Sequence, residues 1–460
     1  MSLFDAFLRD ALLNTVVQSD VYIAIRTDGA PGAGTEEDPY NGGKPLPTLD
    51  ADKPAVVLAN ATTFDTVMNA LPAGVNIHLG PGIFCTRGYP ASTGWKPKSG
   101  QRIVGSGLDA TTLLACDGQA SVGTVAIGID PSTTFLQGFE AADFTIDSAL
   151  DKDYAGHASS ASVGGVAVTG KNVFLRRIRL KNFGNKAGGA VCYGLSAASA
   201  YNSNHPYNCL IEECQVQDGW TQNTNPVLCL RLGIAPGSSA SYHTACAIRN
   251  CWVDCADAAL ERDYRAISAT GGKGTIVEGN RIYNCKNGGP YYDGAESGLE
   301  TTDLVVRENY YYNVQFGVYL STNASSGNVG RVIIQQNIFE LAQVDPSPTA
   351  IALLGNNRTS PSRVFTQAII RSNCIRPVAG AADTQTTIGI TLNSVDQTVV
   401  EDNVIGVATA NKAVTHVTCD KVKSFNNQSP QGVILLGYNS GAAIHDSELT
   451  TEVEDALLNL

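Results

Sequence analysis

One seven-residue block returns eight times along this chain: FLRRIRL (174–180), LIEECQV (210–216), AIRNCWV (247–253), IVEGNRI (276–282), VVRENYY (305–311), IIQQNIF (333–339), IIRSNCI (369–375) and VVEDNVI (399–405). Its fifth position reads Ile178, Cys214, Cys251, Asn280, Asn309, Asn337, Asn373 and Asn403, at steps of 36, 37, 29, 29, 28, 36 and 30 residues. A period of this length marks a solenoid, in which each repeat buries its apolar face only by stacking on its neighbours. Within the block, two apolar residues and a later one flank polar positions. That spacing is too short and too β-branched for a helical turn and predicts a strand, a corner and a second strand. The corner falls near the fifth position, where Asn tolerates left-handed backbone and stacked Asn side chains can bond to the amides of neighbouring coils. Asn280 through Asn403 read as an internal Asn ladder, with Cys214 and Cys251 as apolar substitutes.

A further strand follows each block: RAISAT (265–270), GPYYDG (289–294), GVYLST (317–322), AIALLG (350–355) and GITLNS (389–394). Side chains alternate faces along a strand, so placing Ile267, Val318, Ile351 and Ile390 inward puts Ser268, Tyr291, Tyr319, Ala352 and Thr391 in one outward row. Thr270, Asp293, Ser321, Leu354 and Asn393 form the next row. With strands stacked about 4.8 Å apart, residues some thirty positions apart in sequence become neighbours on one surface.

A solenoid with these coil lengths, an Asn ladder and Gly-punctuated strands resembles the pectate lyase-like superfamily of right-handed parallel β-helices. The opening stretches RTDGAPGAGTEEDPYNGG (26–43), FDTVMNAL (64–71), VNIHLGPGIF (75–84) and QRIVGSGLDATTLL (101–114) are similar to that superfamily's start, in which a Gly-rich segment and a capping helix precede the first coils. The expected fold is all-β, a single-stranded right-handed parallel β-helix with an N-terminal amphipathic helix and cap. Residues 1–61 are read as helix and lead-in, 62–440 as the β-helix and 441–460 as a C-terminal tail or cap. The helix is expected where Leu3, Phe4, Phe7, Leu8, Ala11 and Leu12 fall at helical spacing, as a lid on the solenoid or an attachment segment for a larger particle.

The resemblance implies an extended glycan as partner and leaves activity open, because the fold hosts lyases, hydrolases, epimerases, spikes and adhesins. Lyases of the superfamily hold Ca²⁺ on Asp and Glu beside an Arg or Lys base; hydrolases use several Asp. The Asn-Thr-Asp and Asp-Asp strings of polygalacturonase-type hydrolases are missing as a set, since Glu401-Asp402 lacks the accompanying His and Arg-Ile-Lys strings. Two classes of function are expected: a glycan-binding and perhaps glycan-cleaving protein, and a structural or adhesive spike or fibre subunit, trimeric by analogy. Either places the chain outside the cell or on a particle surface, although its first residues lack the basic start and small-residue cleavage site of a signal peptide.

Charge narrows the partners. Lys and Arg total 31 against 43 Asp and Glu, a formal net charge of −12. That disfavours nucleic acid, whose binding draws on clustered cations, and polyanionic substrates unless a divalent cation bridges them. No stretch reaches the roughly 18 apolar residues of a membrane span. The twelve cysteines lack paired metal spacing and read as buried thiols.

Polar candidates concentrate in the middle coils. ERDYR (261–265) leads into one coil, YYDGAESGLE (291–300) forms and leaves the next, and Tyr319 and Ser321 lie on the one after. Sugars take apolar ring contacts together with hydrogen bonds to acids, which makes Tyr291, Tyr319, Ser321, Thr270, Arg231 and His243 candidate substrate contacts. Catalytic candidates are Asp263, Arg265, Asp293 and Glu296. A lyase reading gives Ca²⁺ to Asp293, Glu296 and Glu300, with Asp263 a further oxygen donor. A hydrolase reading pairs two of the carboxylates about 6.5–9.5 Å apart. His78 is expected in the core, as is Tyr311 between the surface residues Tyr310 and Tyr312. Arg231, His205 and His243 are placed in irregular loops beside a groove. Sequons at Asn323, Asn357 and Asn427 carry no weight in an Asn-rich chain.

Overall fold

The structure, a computed structural model, describes residues 19–26, 30–42, 55–116, 123–150, 157, 161–186, 191–200, 205–221, 225–234, 242–255, 263–269, 272–293, 302–321, 329–342, 348–355, 365–379, 388–406, 414–417, 419–428 and 444–445. Each regular coil contains three short strands, for example Ile276–Glu278, Arg281–Tyr283 and Tyr291–Asp293. Every such strand pairs in parallel with its counterparts in the coils before and after, giving three ladders that share one core. The first aligns Ile211, Ile248, Val277, Val306, Ile334, Ile370 and Val400. The second aligns Val216, Val253, Ile282, Tyr311, Phe339, Ile375 and Ile405. All of these side chains are buried. Crossovers between parallel strands of one sheet are right-handed, and the chain is a right-handed parallel β-helix, with the stacked coils that its repeat predicts and the hand that the resemblance implies.

The Asn ladder is present and longer than expected. Asn309 shows its construction: its backbone N and Nδ2 both donate to Asn337 Oδ1 at 3.0 Å, and Nδ2 also donates to Val277 O at 3.0 Å. The same pattern joins Asn280, Asn337, Asn373 and Asn403, and Asn403 donates in turn to Asn427 Oδ1. Cys214 and Cys251 continue the column inside the core, with Cys251 N donating to Asn280 Oδ1. The bend lies one residue earlier than expected. Arg177, Glu213, Asn250, Gly279, Glu308, Gln336, Ser372, Asp402 and Asn426, each just before a ladder position, have φ between +47° and +66°. The left-handed residue makes the corner, and the Asn after it satisfies the amides the corner exposes.

At the N-terminal end the helix Ala55–Ala70 lays Phe64 and Met68 over the first coils. Phe64 meets Phe84 at 5.5 Å and Trp95 edge-on at 6.3 Å. Strand Asp20–Ala24 pairs with Asn76–Leu79, and Ile444–His445 pairs with Lys423 and Ser424. The amphipathic helix expected near Leu3 to Leu12 lies outside the described residues. His78 is not a core residue. It is half-buried, stacks on Tyr22 at 4.7 Å and sits 3.2 Å from Asp20 Oδ1, because its strand turns Ile77 and Leu79 inward instead. Tyr311 is buried, donates to Gly289 O at 2.7 Å and stacks on Phe339. Eleven of the twelve cysteines are buried, and Cys374 is half-buried. No helix among the described residues is long and apolar enough to cross a membrane.

Candidate functional site

The third ladder carries the candidate site. Its register aligns Ser196, Arg231, Ser268, Tyr291, Tyr319, Ala352, Thr391 and Thr415. The register is the one alternation predicts for Ser268 to Thr391, but the row is not evenly exposed: Ser196, Arg231, Ser268 and Ala352 are buried, and Tyr291, Tyr319, Thr391 and Thr415 are half-buried. The next row aligns Asp293, Ser321, Leu354 and Asn393. A neighbouring row brings Arg265, Asn287 and Phe316 side by side. Glycine at 289 lets the chain enter the central strand: φ there is +90°, and a Cβ would lie 2.1 Å from Ile267 O.

Two elements of this surface lock together. Arg265 grips Asp263 in a fork, Nε to Oδ1 at 3.1 Å and Nη2 to Oδ2 at 2.8 Å, and Asn287 Nδ2 donates to the same Oδ1 at 2.9 Å. The Arg265 guanidinium carbon lies 4.2 Å from the centroid of the Tyr291 ring. Tyr291 stacks on Tyr319 with centroids 5.0 Å apart and planes within 11°, and Phe316 meets Tyr319 edge-on at 5.8 Å. Arg265 precedes Tyr291 by one coil and Tyr319 follows it by one, so the two faces of the Tyr291 ring are taken. The sequence reading expects these rings to offer their faces to a sugar. Tyr291 instead lies between Arg265 and Tyr319, because stacking in register turns side chains against each other along the solenoid axis.

Other expected contacts fall elsewhere. Arg231 belongs to strand Val227–Ile234, not to a loop; it is 4% exposed, and its guanidinium lies 4.7 Å from the Tyr193 ring centroid. His243 does not line a groove. It is fully buried with Nε2 3.0 Å from Thr275 Oγ1, and burial, helped by the charge of Arg231, pushes its pKa down to about 3. His205 does lie at the surface, stacked on Tyr242 at 4.4 Å. Thr270, Glu296, Glu300 and the side chain of Asp293 lie outside the described residues. Among the described residues no three His, Cys, Asp or Glu side chains gather as a metal site. Asp263 fits a Ca²⁺ ligand poorly, since both of its oxygens already accept bonds from Arg265 and one from Asn287.

Sequence reasoning misses Asn287 and Phe316. Both precede the strands it recognises, and pairing each coil back from Tyr291 and Tyr319 is the signal that would find them. It also misses a second surface. On the outer face of the second ladder, Tyr283 lies 6.2 Å from Trp252, 5.9 Å from Tyr310 and 6.0 Å from Tyr312, with planes tilted by 49°, 71° and 49°. One row there aligns Trp252, Arg281, Tyr310, Ile338, Cys374 and Val404, in which Ile338 is 40% and Val404 48% exposed.

A family model described as "Right handed beta helix region" matches residues 164–360. No curated protein matches the chain in sequence. Among solved structures, the A-module of the mannuronan C-5 epimerase AlgE4 of Azotobacter vinelandii is 15% identical, with a TM-score of 0.43 over 84% of this chain and 95% of that one. DFA-IIIase of Arthrobacter chlorophenolicus A6 in complex with GF2 is 12% identical, with a TM-score of 0.49 over 94% and 100%. PfbA, a surface adhesin of Streptococcus pneumoniae, is 12% identical, with a TM-score of 0.47 over 80% and 87%.

Proposed function

We propose that this chain binds an extended glycan along the outer face of its third ladder, at the coils that carry Asp263, Arg265, Asn287, Tyr291 and Tyr319. The observation that carries the reading is the continuous stack of Arg265, Tyr291 and Tyr319, anchored by the Asp263 fork. A stack of this kind holds its polar groups in fixed positions, so bonding to sugar hydroxyls costs little additional ordering. Its rigidity also sets a repeat of one polar group per coil along the solenoid axis, which suits a chain of sugars better than a single one.

The test is a glycan array read with the full chain and with Tyr319→Ala and Arg265→Gln. Each substitution removes one partner of the stack and is expected to weaken binding to the glycans retained by the unsubstituted chain at least tenfold, the scale of about 1.4 kcal/mol. Unchanged binding by both would overturn the reading. The same incubations, with and without Ca²⁺, assayed for unsaturated ends and new reducing ends, separate binding from cleavage through Asp293, Glu296 and Glu300.

One observation favours a second reading, that of a rod assembled side by side with copies of itself. The second ladder's outward row is apolar at Trp252, Tyr310, Ile338 and Val404, and its last two large side chains are well exposed. Light scattering behind size exclusion checks it. Assembly through this face is expected to give a mass above that of one chain, falling to one chain for Ile338→Glu with Val404→Glu. An unsubstituted chain of single-chain mass overturns it.

A further inference from the structure

Cys229, Cys255 and Cys285 come from three successive coils and meet inside the core. Cys229 Sγ and Cys255 Sγ lie 3.7 Å apart, an ordinary non-bonded approach of about 3.5–4 Å. Cys255 Sγ and Cys285 Sγ lie 2.6 Å apart. Two separate thiols repel at that distance, whereas a disulfide bond brings its sulfurs to about 2.05 Å. The backbone suits such a bond. Asp254 and Tyr283 are register partners, and Cys255 N donates to Tyr283 O. Strand stacking near 4.8 Å falls inside the window of about 4.4–6.8 Å between Cα atoms that a disulfide spans.

We propose that Cys255 and Cys285 form a disulfide between adjacent coils, made by exchange with a low-molecular-weight disulfide while this part of the solenoid is being built. In the exchange the donor's S–S bond breaks and the Cys255–Cys285 bond forms. The two thiol protons leave on the two donor thiols, so the cysteines are oxidised and the donor is reduced. Timing follows from burial. Both sulfurs are enclosed in the finished coil, and burial raises both thiols above their ordinary range, so the thiolate needed for exchange forms before the coil closes. The bond would enclose residues 256–284, the segment that carries Asp263, Arg265 and Ser268, and would join the coil of the Asp263 fork to the next. It would also suit a chain that folds in an oxidising compartment. Cys229 is left a thiol, because Cys255 has one sulfur to give.

The experiment folds the full chain with a mixture of reduced and oxidised glutathione. Free thiols are then blocked by alkylation under acid-quenched denaturing conditions, and the chain is digested without reductant for peptide mapping by mass spectrometry. The expected result is a linked pair of peptides containing Cys255 and Cys285, lighter by two hydrogens than their sum, with Cys229 alkylated. Alkylation of Cys255 and Cys285 in the folded protein overturns the proposal, as does a Cys229–Cys255 link. A Cys255–Cys285 link seen only when denaturation precedes blocking overturns it too.

Discussion

Asp65 shows how a single buried group can make one end of the solenoid sensitive to pH. Its carboxyl projects from the helix Ala55–Ala70 and accepts bonds from Thr86 Oγ1 at 2.6 Å, Arg87 N at 3.0 Å and Trp95 N at 3.2 Å. Burial outweighs these bonds and raises its pKa to about 6. The unfolded chain titrates near the ordinary value of about 4, so the folded state favours the protonated acid. The stability gained from that preference is full below about pH 4 and is lost as pH rises through about 6, a change of roughly 2–3 kcal/mol. Asp65→Asn removes the titration but disturbs the bond from Arg87 N at every pH. The expected outcome in urea unfolding is a wild-type advantage over Asp65→Asn that is largest at pH 4 and smaller by roughly 2–3 kcal/mol at pH 7. An advantage that stays constant between the two pH values contradicts this account. His243 illustrates the opposite sense of the same force, since burial keeps its imidazole neutral.

The Asn ladder is the element on which the coil stack depends most visibly. Asn309→Ala would strip the acceptor from Asn280 N and the donor from Val277 O, both in the core. Each buried group left unsatisfied costs about 1–3 kcal/mol, so the substitution is expected to destabilise by roughly 3–5 kcal/mol. Asn427→Ala, at the half-buried end of the column, is expected to cost about 1–2 kcal/mol. Denaturation midpoints for the two variants check the order, and equal losses would count against a ladder that works by satisfying core amides. The ladder was legible because Asn recurs at one position of an apolar block. The left-handed residue before it was not, because Arg, Glu, Asn, Gly, Gln, Ser and Asp all fill that place and share no property except tolerance of the corner. In the third ladder, alternation located the Tyr291 and Tyr319 row correctly. It could not show that Arg265 and Tyr319 cover the Tyr291 ring, since ring orientation depends on what the adjacent coils supply.

Seen as a whole, the molecule presents three outer faces of different chemistry on one core. The first ladder is laced with ion pairs across coils, from Arg102 through Glu140, Arg176 and Glu212 to Arg249, and again from Glu278 to Arg307. The second is aromatic and apolar; the third carries the Arg265 and tyrosine stack. On the first face the described cations and anions pair, and on the third Asp263 neutralises Arg265; the net charge of −12 sets up a negative field around the chain as a whole. Such a field repels a polyanion at a range set by salt, about 30 Å at 0.01 M and about 3 Å at 1 M. A neutral glycan feels none of it. If binding occurs on the third ladder as proposed, neutral glycans are expected to hold their affinity as salt is raised from about 0.01 M to about 1 M, while anionic glycans of similar length gain affinity over the same range. Titration of one neutral and one uronate-rich polysaccharide against the full chain, read by calorimetry, checks this. Anionic binding that weakens with added salt would instead place a cationic groove at the site and remove the net charge from the account of specificity.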